Sequence, residues 1–342
     1  MRVLILTQEV GADAPPEERD VLVQAAAVHA SLETRGHRVS FGRVGLDLRE
    51  LLRHLDERPD VAFNLVESLG GRDDLQSVVP YALELLGIPY TGCPAVALGE
   101  SNNKPATKRR LASLGLRTPP WAAWKRDVEY GTLTYHGSDG FLPGRYIVKP
   151  VSQHASYGID DEAVTEAVPT PARLVELLGA RQKLTNVECF AEHFVDGREV
   201  NLALLGTSDG PHLLGFAEIE FSGFAKSKPR IVGHAAKWDE DSFEYTHTHR
   251  RFWGEGEETQ LRGLLSQLAM RCWSGLHLDG AARIDFRVDS EGRPWILEVN
   301  ANPCLSPDAG FMAAAEHSGL RSIDVFEGLI DRALVRAARF ES

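Results

Sequence analysis

Ala281-Ala-Arg-Ile-Asp-Phe-Arg-Val-Asp-Ser-Glu-Gly-Arg-Pro-Trp-Ile-Leu-Glu-Val-Asn-Ala-Asn-Pro303 contains two β-rich runs around a short turn. With Glu291-Gly292 as a two-residue turn, antiparallel pairing sets Asp285 opposite Glu298 and Arg283 opposite Asn300. Side chains alternate faces along a strand, so all four project to one side. Like charges facing each other destabilise a sheet unless a cation neutralises them. An all-oxygen set of Asp285, Glu298 and the Asn300 carboxamide suits a hard ion, commonly Mg²⁺ bridging to phosphate oxygens. The same face also reads as a solvated hairpin in which Arg283 simply pairs with a carboxylate.

Upstream, Lys149 ends the apolar run Tyr146-Ile-Val-Lys-Pro150 and precedes the small polar segment Ser152-Gln-His-Ala-Ser-Tyr-Gly158. Such a segment can offer N–H groups and the Ser156 hydroxyl to phosphate oxygens, with the lysine as a point charge, or it can be a solvated strand end. Neither a Walker A glycine–lysine pattern nor GxGxxG occurs. Glu192 and Glu199 flank the turn Asp196-Gly197, placed either to accept from a nucleotide's amine and hydroxyls or as exposed hairpin glutamates. Lys237-Trp238 follows an expected apolar strand at Ile231-Val-Gly233, and also reads as a surface lysine packed on an aromatic. His247 and His249 alternate as on one strand face, but without a third ligand they read as loop histidines.

The first hundred residues alternate short apolar runs (3–6, 39–41, 61–64) with amphipathic ones (19–34, 46–55, 75–86), the pattern of an open parallel α/β sheet. A basic helix after Lys104 ends near Gly115. Strands at 146–149, 187–194, 200–205 and 212–219 with a helix near 172–178 predict an α+β unit. A helix over 259–276, the hairpin and closing helices after Gly310 and Ile323 complete the chain. We expect three units: an N-terminal α/β domain over 1–100, a small α+β unit over 101–210 and a C-terminal unit over 211–342.

The 342 residues carry 37 Lys+Arg against 49 Asp+Glu, a net charge of −12, with 43% hydrophobic and 25% charged residues. These proportions are globular rather than disordered or fibrous. An acidic chain lacks the field that nucleic acids and anionic membranes require, so small molecules are the expected partners. Cys93, Cys189, Cys272 and Cys304 are far apart and form no CxxC pair, so we read them as reduced thiols. The longest aliphatic run near the start, Val3–Leu6, is too short for a signal or spanning segment, so a cytoplasmic location is expected.

Eight ordered motifs resemble the ATP-grasp superfamily, and within it the D-alanine:D-alanine ligase family, over almost the whole chain. They are Asn64-Leu-Val-Glu-Ser-Leu-Gly-Gly71, Pro89-Tyr-Thr-Gly92, Ser101-Asn-Asn-Lys104, Val148-Lys-Pro150, Glu192 to Glu199, Lys237-Trp238, Arg283-Ile-Asp285 and Glu298-Val-Asn-Ala-Asn-Pro303. The resemblance implies an ATP-grasp fold and a carboxylate–amine ligase acting through an acyl phosphate, with ATP and Mg²⁺ (or Mn²⁺) as cofactors. It implies that Lys104 and Lys149 hold the α- and β-phosphates under the 152–158 loop, Ser156 included. Glu192 with the backbone of Phe194 and Val195 would hold adenine, Glu199 the ribose, and Lys237 the γ-phosphoryl group. Asp285, Glu298 and Asn300 match the magnesium ligands, and Arg283 the arginine that stabilises the tetrahedral oxyanion.

By the same resemblance Glu18, or equally Asp20, meets the amine of the first substrate, and a homodimer is expected. The family's Ser and Tyr partners of that acid fall at Ala155 and Trp238, its oxyanion-loop glycine at Cys304, and the serine that meets the second substrate's carboxylate at Ala309. These departures cluster where substrates sit, so amino-acid-like or peptide-like substrates other than D-alanine are expected. A small-molecule kinase on the same scaffold and a non-catalytic nucleotide-binding regulator are the alternatives.

Overall fold

The computed structural model describes residues 1–125 and 131–338. The apolar runs of the N-terminal third form β1 (Arg2–Gln8), β2 (Arg38–Val44) and β3 (Val61–Asn64), parallel in the order β2-β1-β3. Six of the seven β1 residues are buried, which is why this run lacks strict alternation. Helix α1 (Pro16–Glu33) covers one face with Val21, Ala25, Val28 and Leu32. Helices α2 (Arg49–Leu55) and α3 (Val78–Leu85) cover the other.

Next come α4 (Ala95–Asn102) and α5 (Lys104–Ser113), the latter capped by the Asn103 side chain accepting from the Ala106 N–H at 2.9 Å. Strands β4 (Trp121–Trp124), β5 (Leu133–His136), β6 (Tyr146–Pro150) and, after α6 (Pro171–Thr185), β7 (Cys189–His193) build a four-stranded sheet, β5-β4-β7-β6. Leu174 and Leu178 of α6 pack on one face of it.

The largest sheet, β10-β9-β8-β11-β12, takes β8 (Arg198–Thr207), β9 (Gly210–Phe221), β10 (Thr248–Phe252), β11 (Ala281–Val288) and β12 (Pro294–Asn300). Two short helices, α7 (His234–Trp238) and α8 (Phe243–His247), precede β10. Leu265, Ala269, Cys272 and Trp273 of α9 (Thr259–Gly275) bury one face of the sheet with Leu202, Leu204, Ile284 and Phe286. The opposite face borders a cleft. After α10 (Gly310–His317), α11 (Ser322–Ala338) returns to the first sheet, where Phe326 meets Phe63 edge-on at 5.8 Å between ring centres.

Several expectations need correction. A division at residue 210 cuts the β8–β9 hairpin. Sheet pairing puts that break near Asp196–Gly197 instead, because β8 pairs with β9 and β11. Residues 231–233 form no strand, and Lys237 lies on α7. His247 closes α8, and His249 sits in β10, so they share neither a loop nor a strand. Helix α4 carries Gly99, Ser101 and Asn102, all weak helix formers, and β4 carries two alanines. Tertiary pairing decides both: Trp121 of β4, for example, registers with Glu192 of β7.

The hairpin turn also differs. Asp289 and Arg293 close a three-residue loop through Gly292, whose φ of +75° only glycine adopts freely. Pairing is therefore one residue out near the turn, Phe286 opposite Ile296. A bulge at Leu297 restores the expected register, Asp285 opposite Glu298 and Arg283 opposite Asn300.

Candidate active site

A cleft of about 470 Å³ opens between the three sheets. Its floor is the free face of the large sheet, with Glu199, Asn201 and Ala203 from β8, Arg283, Asp285 and Arg287 from β11, and Glu298 and Asn300 from β12. The strand period brings them together: Asp285 registers with Asn201 on one side and Glu298 on the other. Arg283 forks onto Asp285, its Nε and Nη2 each donating at 2.8 Å. Burial lowers the Arg283 guanidinium, but the Asp285 charge and these bonds outweigh it and raise its pKa.

Cations surround the acidic pair. Lys104, at the start of α5, donates to the Gln153 carbonyl at 2.7 Å and lies 3.8 Å from Glu298. Lys149 and Lys237 also line the cleft. Burial pushes the Glu298 carboxyl up, yet Lys104, His154, Lys149 and Lys237 together hold it down at about 2. Burial also lowers Lys237, with Arg283 beside it adding to the shift. So many buried cations within one cleft favour an anionic ligand.

The 152–158 loop lies over this site. Ala155 and Ser156 both hold positive φ, 55° and 60°, a strained conformation for side-chain-bearing residues. The Ser156 hydroxyl donates to Val232 O at 2.9 Å, and the Trp238 indole donates to Ala155 O at 3.0 Å. His154 N–H donates to Asp73 at 2.9 Å, fastening the loop to the N-terminal unit. Burial and Lys104 keep the His154 imidazole down at about 4.

Glu192, Phe194, Val195 and Glu199 line the cleft. Glu192 differs in what it faces: Lys149 reaches one carboxylate oxygen at 2.9 Å, and Lys108 contacts the other. The Phe194 N–H donates to Arg145 O at 2.9 Å, whereas the next N–H, that of Val195, makes no such backbone bond among the described residues. Glu199 pairs with Arg287 at 3.3 Å. Lys108 escaped the sequence reading, although its position one helical turn after Lys104 puts it on the same face.

The first-substrate acid needs correction. Glu18 is exposed and lies outside the cleft lining, while Glu17 and Asp20, on either side of it on α1, line the cleft. Asp20 is fully engaged: Ser306 Oγ donates at 2.7 Å, Cys304 Sγ at 2.9 Å and Gln24 Nε2 at 3.2 Å. It straps α1 to the loop after β12. Glu17 accepts from His234 Nε2 at 3.2 Å through Oε1, while its buried Oε2 has no partner.

No group of three or more His, Cys, Asp or Glu side chains arranged to cage a metal occurs among the described residues. Two carboxylates and a carboxamide nevertheless fit an ion that takes its remaining oxygens from phosphate. The buried Asn201 Oδ1, on the strand beside Asp285, is an additional acceptor without a partner. Asn300 Oδ1 accepts from the Asn302 N–H at 2.9 Å, which fixes the carboxamide.

A parallel α/β unit backing two sheeted lobes that close on a cation-rich cleft is the architecture of the ATP-grasp class. The chain matches the family described as D-ala D-ala ligase C-terminus over residues 111–331 and belongs to it: it is an ATP-grasp ligase. It is 28% identical to a D-alanine--D-alanine ligase of Bordetella petrii, over 92% of this chain and 88% of that one. It is 26% identical to the uncharacterised protein y4sG of Sinorhizobium fredii, over 90% and 86%. Its fold is similar to that of the Bacillus anthracis D-alanine--D-alanine ligase solved in complex with ATP, with a TM-score of 0.73 over 99% of each chain at 19% identity. No helix among the described residues is long and apolar enough to cross a membrane.

Proposed function

We propose that this chain uses ATP to join the carboxylate of one small amino-acid-like or peptide-like molecule to the amine of another, through an acyl phosphate. A carboxylate oxygen attacks the γ-phosphorus and ADP leaves. The amine then attacks the acyl carbon, gives up a proton and expels phosphate, forming the amide. The observation that carries this reading is the Asp285–Glu298 pair on adjacent strands, with Lys104, Lys149 and Lys237 lining the same cleft.

In this reading Lys104 and Lys149 hold the α- and β-phosphates and Lys237 neutralises the transferring group. Asp285, Glu298 and Asn300 would hold Mg²⁺, which when bound supplies charge neutralisation to the phosphate oxygens. The Arg283 Nη1, not used by Asp285, stabilises the oxyanion on the acyl carbon. Glu192 and the backbone of Phe194 and Val195 border the adenine, with the Val195 N–H as the donor to it, and Glu199 receives the ribose. Glu17, with a free and buried Oε2, receives the ammonium of the first substrate.

Trp238 bonded to Ala155 and His234 bonded to Glu17 give the substrate end its own hydrogen-bond network, which supports substrates other than two D-alanines. The test is a pairwise screen of amino acids and dipeptides for ADP release, with products read by mass spectrometry. An amide supports the proposal. A phosphorylated hydroxyl would make the chain a kinase, and ATP binding without ADP release from any pair would make it a regulator.

A further inference from the structure

Arg250 lies on β10 at the open edge of the cleft, an exposed residue whose guanidinium has no hydrogen-bond or ion-pair partner among the described residues. Its neighbour Arg251 points to the other side of the strand and is tied to Glu218, Glu220 and Glu257. Arg250 is held toward the start of α10. A Cβ built on Gly310 would lie 3.4 Å from its Nη2 and 3.7 Å from its Nε, and 3.7 Å from Arg283 Nη1. Two guanidinium groups therefore converge on the space a glycine leaves open. Partial desolvation by the cleft wall, with Arg283 close by, lowers the pKa of this otherwise exposed guanidinium, and Asp308 offsets this only in part.

Like charges brought together this way call for a counter-charge, as the facing carboxylates do. Other donors point to the same place. The Ala309 cap offers no side chain to the opening turn of α10, so its first N–H groups lack a capping acceptor. Thr248, two residues before Arg250 on the same strand face, lines the cleft with a buried hydroxyl that has no partner. A planar anion with two oxygens matches a guanidinium fork beside free N–H groups.

We propose that Arg250 determines specificity for the amine-donating substrate by holding that substrate's carboxylate, with the Thr248 hydroxyl and the first turn of α10 as the other donors. The charge arrives from β10 because residue 309 is alanine and carries no hydroxyl, and Gly310 leaves room for it. The amine donor is thus an amino acid or peptide with a free carboxylate, and simple amines and carboxamides are excluded. This rests on the ligase reading given above.

The test uses the reacting pair from the pairwise screen, comparing each amine donor with its carboxamide counterpart. Wild type should prefer the acid. Arg250→Ala should raise the KM for the acid about 10- to 100-fold with kcat little changed, Arg250→Lys should recover part of the loss, and the carboxamide should be used equally by all three. Gly310→Ala, whose methyl would fill the space between the two guanidinium groups at ordinary contact distance, should raise the same KM by displacing the carboxylate. An unchanged KM in Arg250→Ala, or equal use of acid and carboxamide by wild type, overturns the assignment while leaving the ligase reading intact. ADP release from no pair overturns the ligase reading and this inference with it.

Discussion

Lys108 and Glu192 bury their charges against each other, each side chain only 2% exposed, while Lys149 reaches the same carboxylate from the cleft side. Lys108 also donates to Thr118 Oγ1 at 2.6 Å, and that hydroxyl passes a hydrogen bond to Ile296 O on β12. The network ties the small lobe to the large sheet and leaves Lys149 sharing one acid.

Removing one member of a buried pair leaves a charge short of compensation, so Lys108→Met should cost about 3 kcal/mol in urea unfolding. Burial, partly opposed by Glu192, holds the Lys108 ammonium down at about 8 against an ordinary 10.5. Between those values the unfolded chain binds the extra proton, so wild-type stability should rise with pH there. The variant should lack that rise. It should also raise the KM for ATP, because Glu192 then draws on Lys149 alone.

The acid set separates by role. Asp285→Ala and Glu298→Ala should each lower turnover at least about 100-fold and weaken nucleotide binding in the presence of Mg²⁺. Glu17→Gln should raise the KM of the first amino-acid substrate and leave ATP affinity alone. Glu18→Gln should change neither. Calorimetry with an ATP analogue, beside steady-state kinetics, tells the four apart, and a Glu18 effect larger than that of Glu17 would reverse the assignment.

Glu67 lines the cleft and accepts from Gln24 at 2.9 Å. Burial, reinforced by Asp20 and Asp73, lifts its carboxyl to about 7 from an ordinary 4.5. The folded protein therefore binds this proton more tightly than the unfolded chain, and stability should fall as pH rises from 4.5 through 7. Glu67→Gln keeps the bond from Gln24 and removes the charge. It should gain about 2 kcal/mol at pH 8 and nothing at pH 4, as read by denaturant unfolding at both values.

The loop over the cleft is held by the Trp238 indole on Ala155 O. Trp238→Phe keeps an aromatic ring, smaller than the indole, and deletes the donor, at a cost of about 1 kcal/mol. Limited proteolysis within 152–158 should quicken about fivefold, with a matching rise in the KM for ATP.

The parts legible in the sequence were those governed by strand alternation. The period of two puts Arg283 with Asp285 and Glu298 with Asn300, and the two pairs share a face as read because the Leu297 bulge offsets a one-residue misjudgement of the turn. What resisted reading depended on tertiary partners. The strand Trp121–Trp124 follows from pairing with β7, and Glu18, Glu17 and Asp20 are separable only once the exposed side of α1 is known. Arg250 sits in Thr-His-Arg-Arg-Phe, a run that suggests solvent until its strand is placed at the cleft edge.

Because α1, β1, β3, β8, α10 and α11 contribute to one continuous core, the N-terminal unit and the large sheet cannot part without exposing it. The four-stranded sheet and α6 keep a separate core of their own. Any opening of the cleft along the seam between these two cores would have to break the Asp73–His154 and Lys108–Glu192 contacts, which span it.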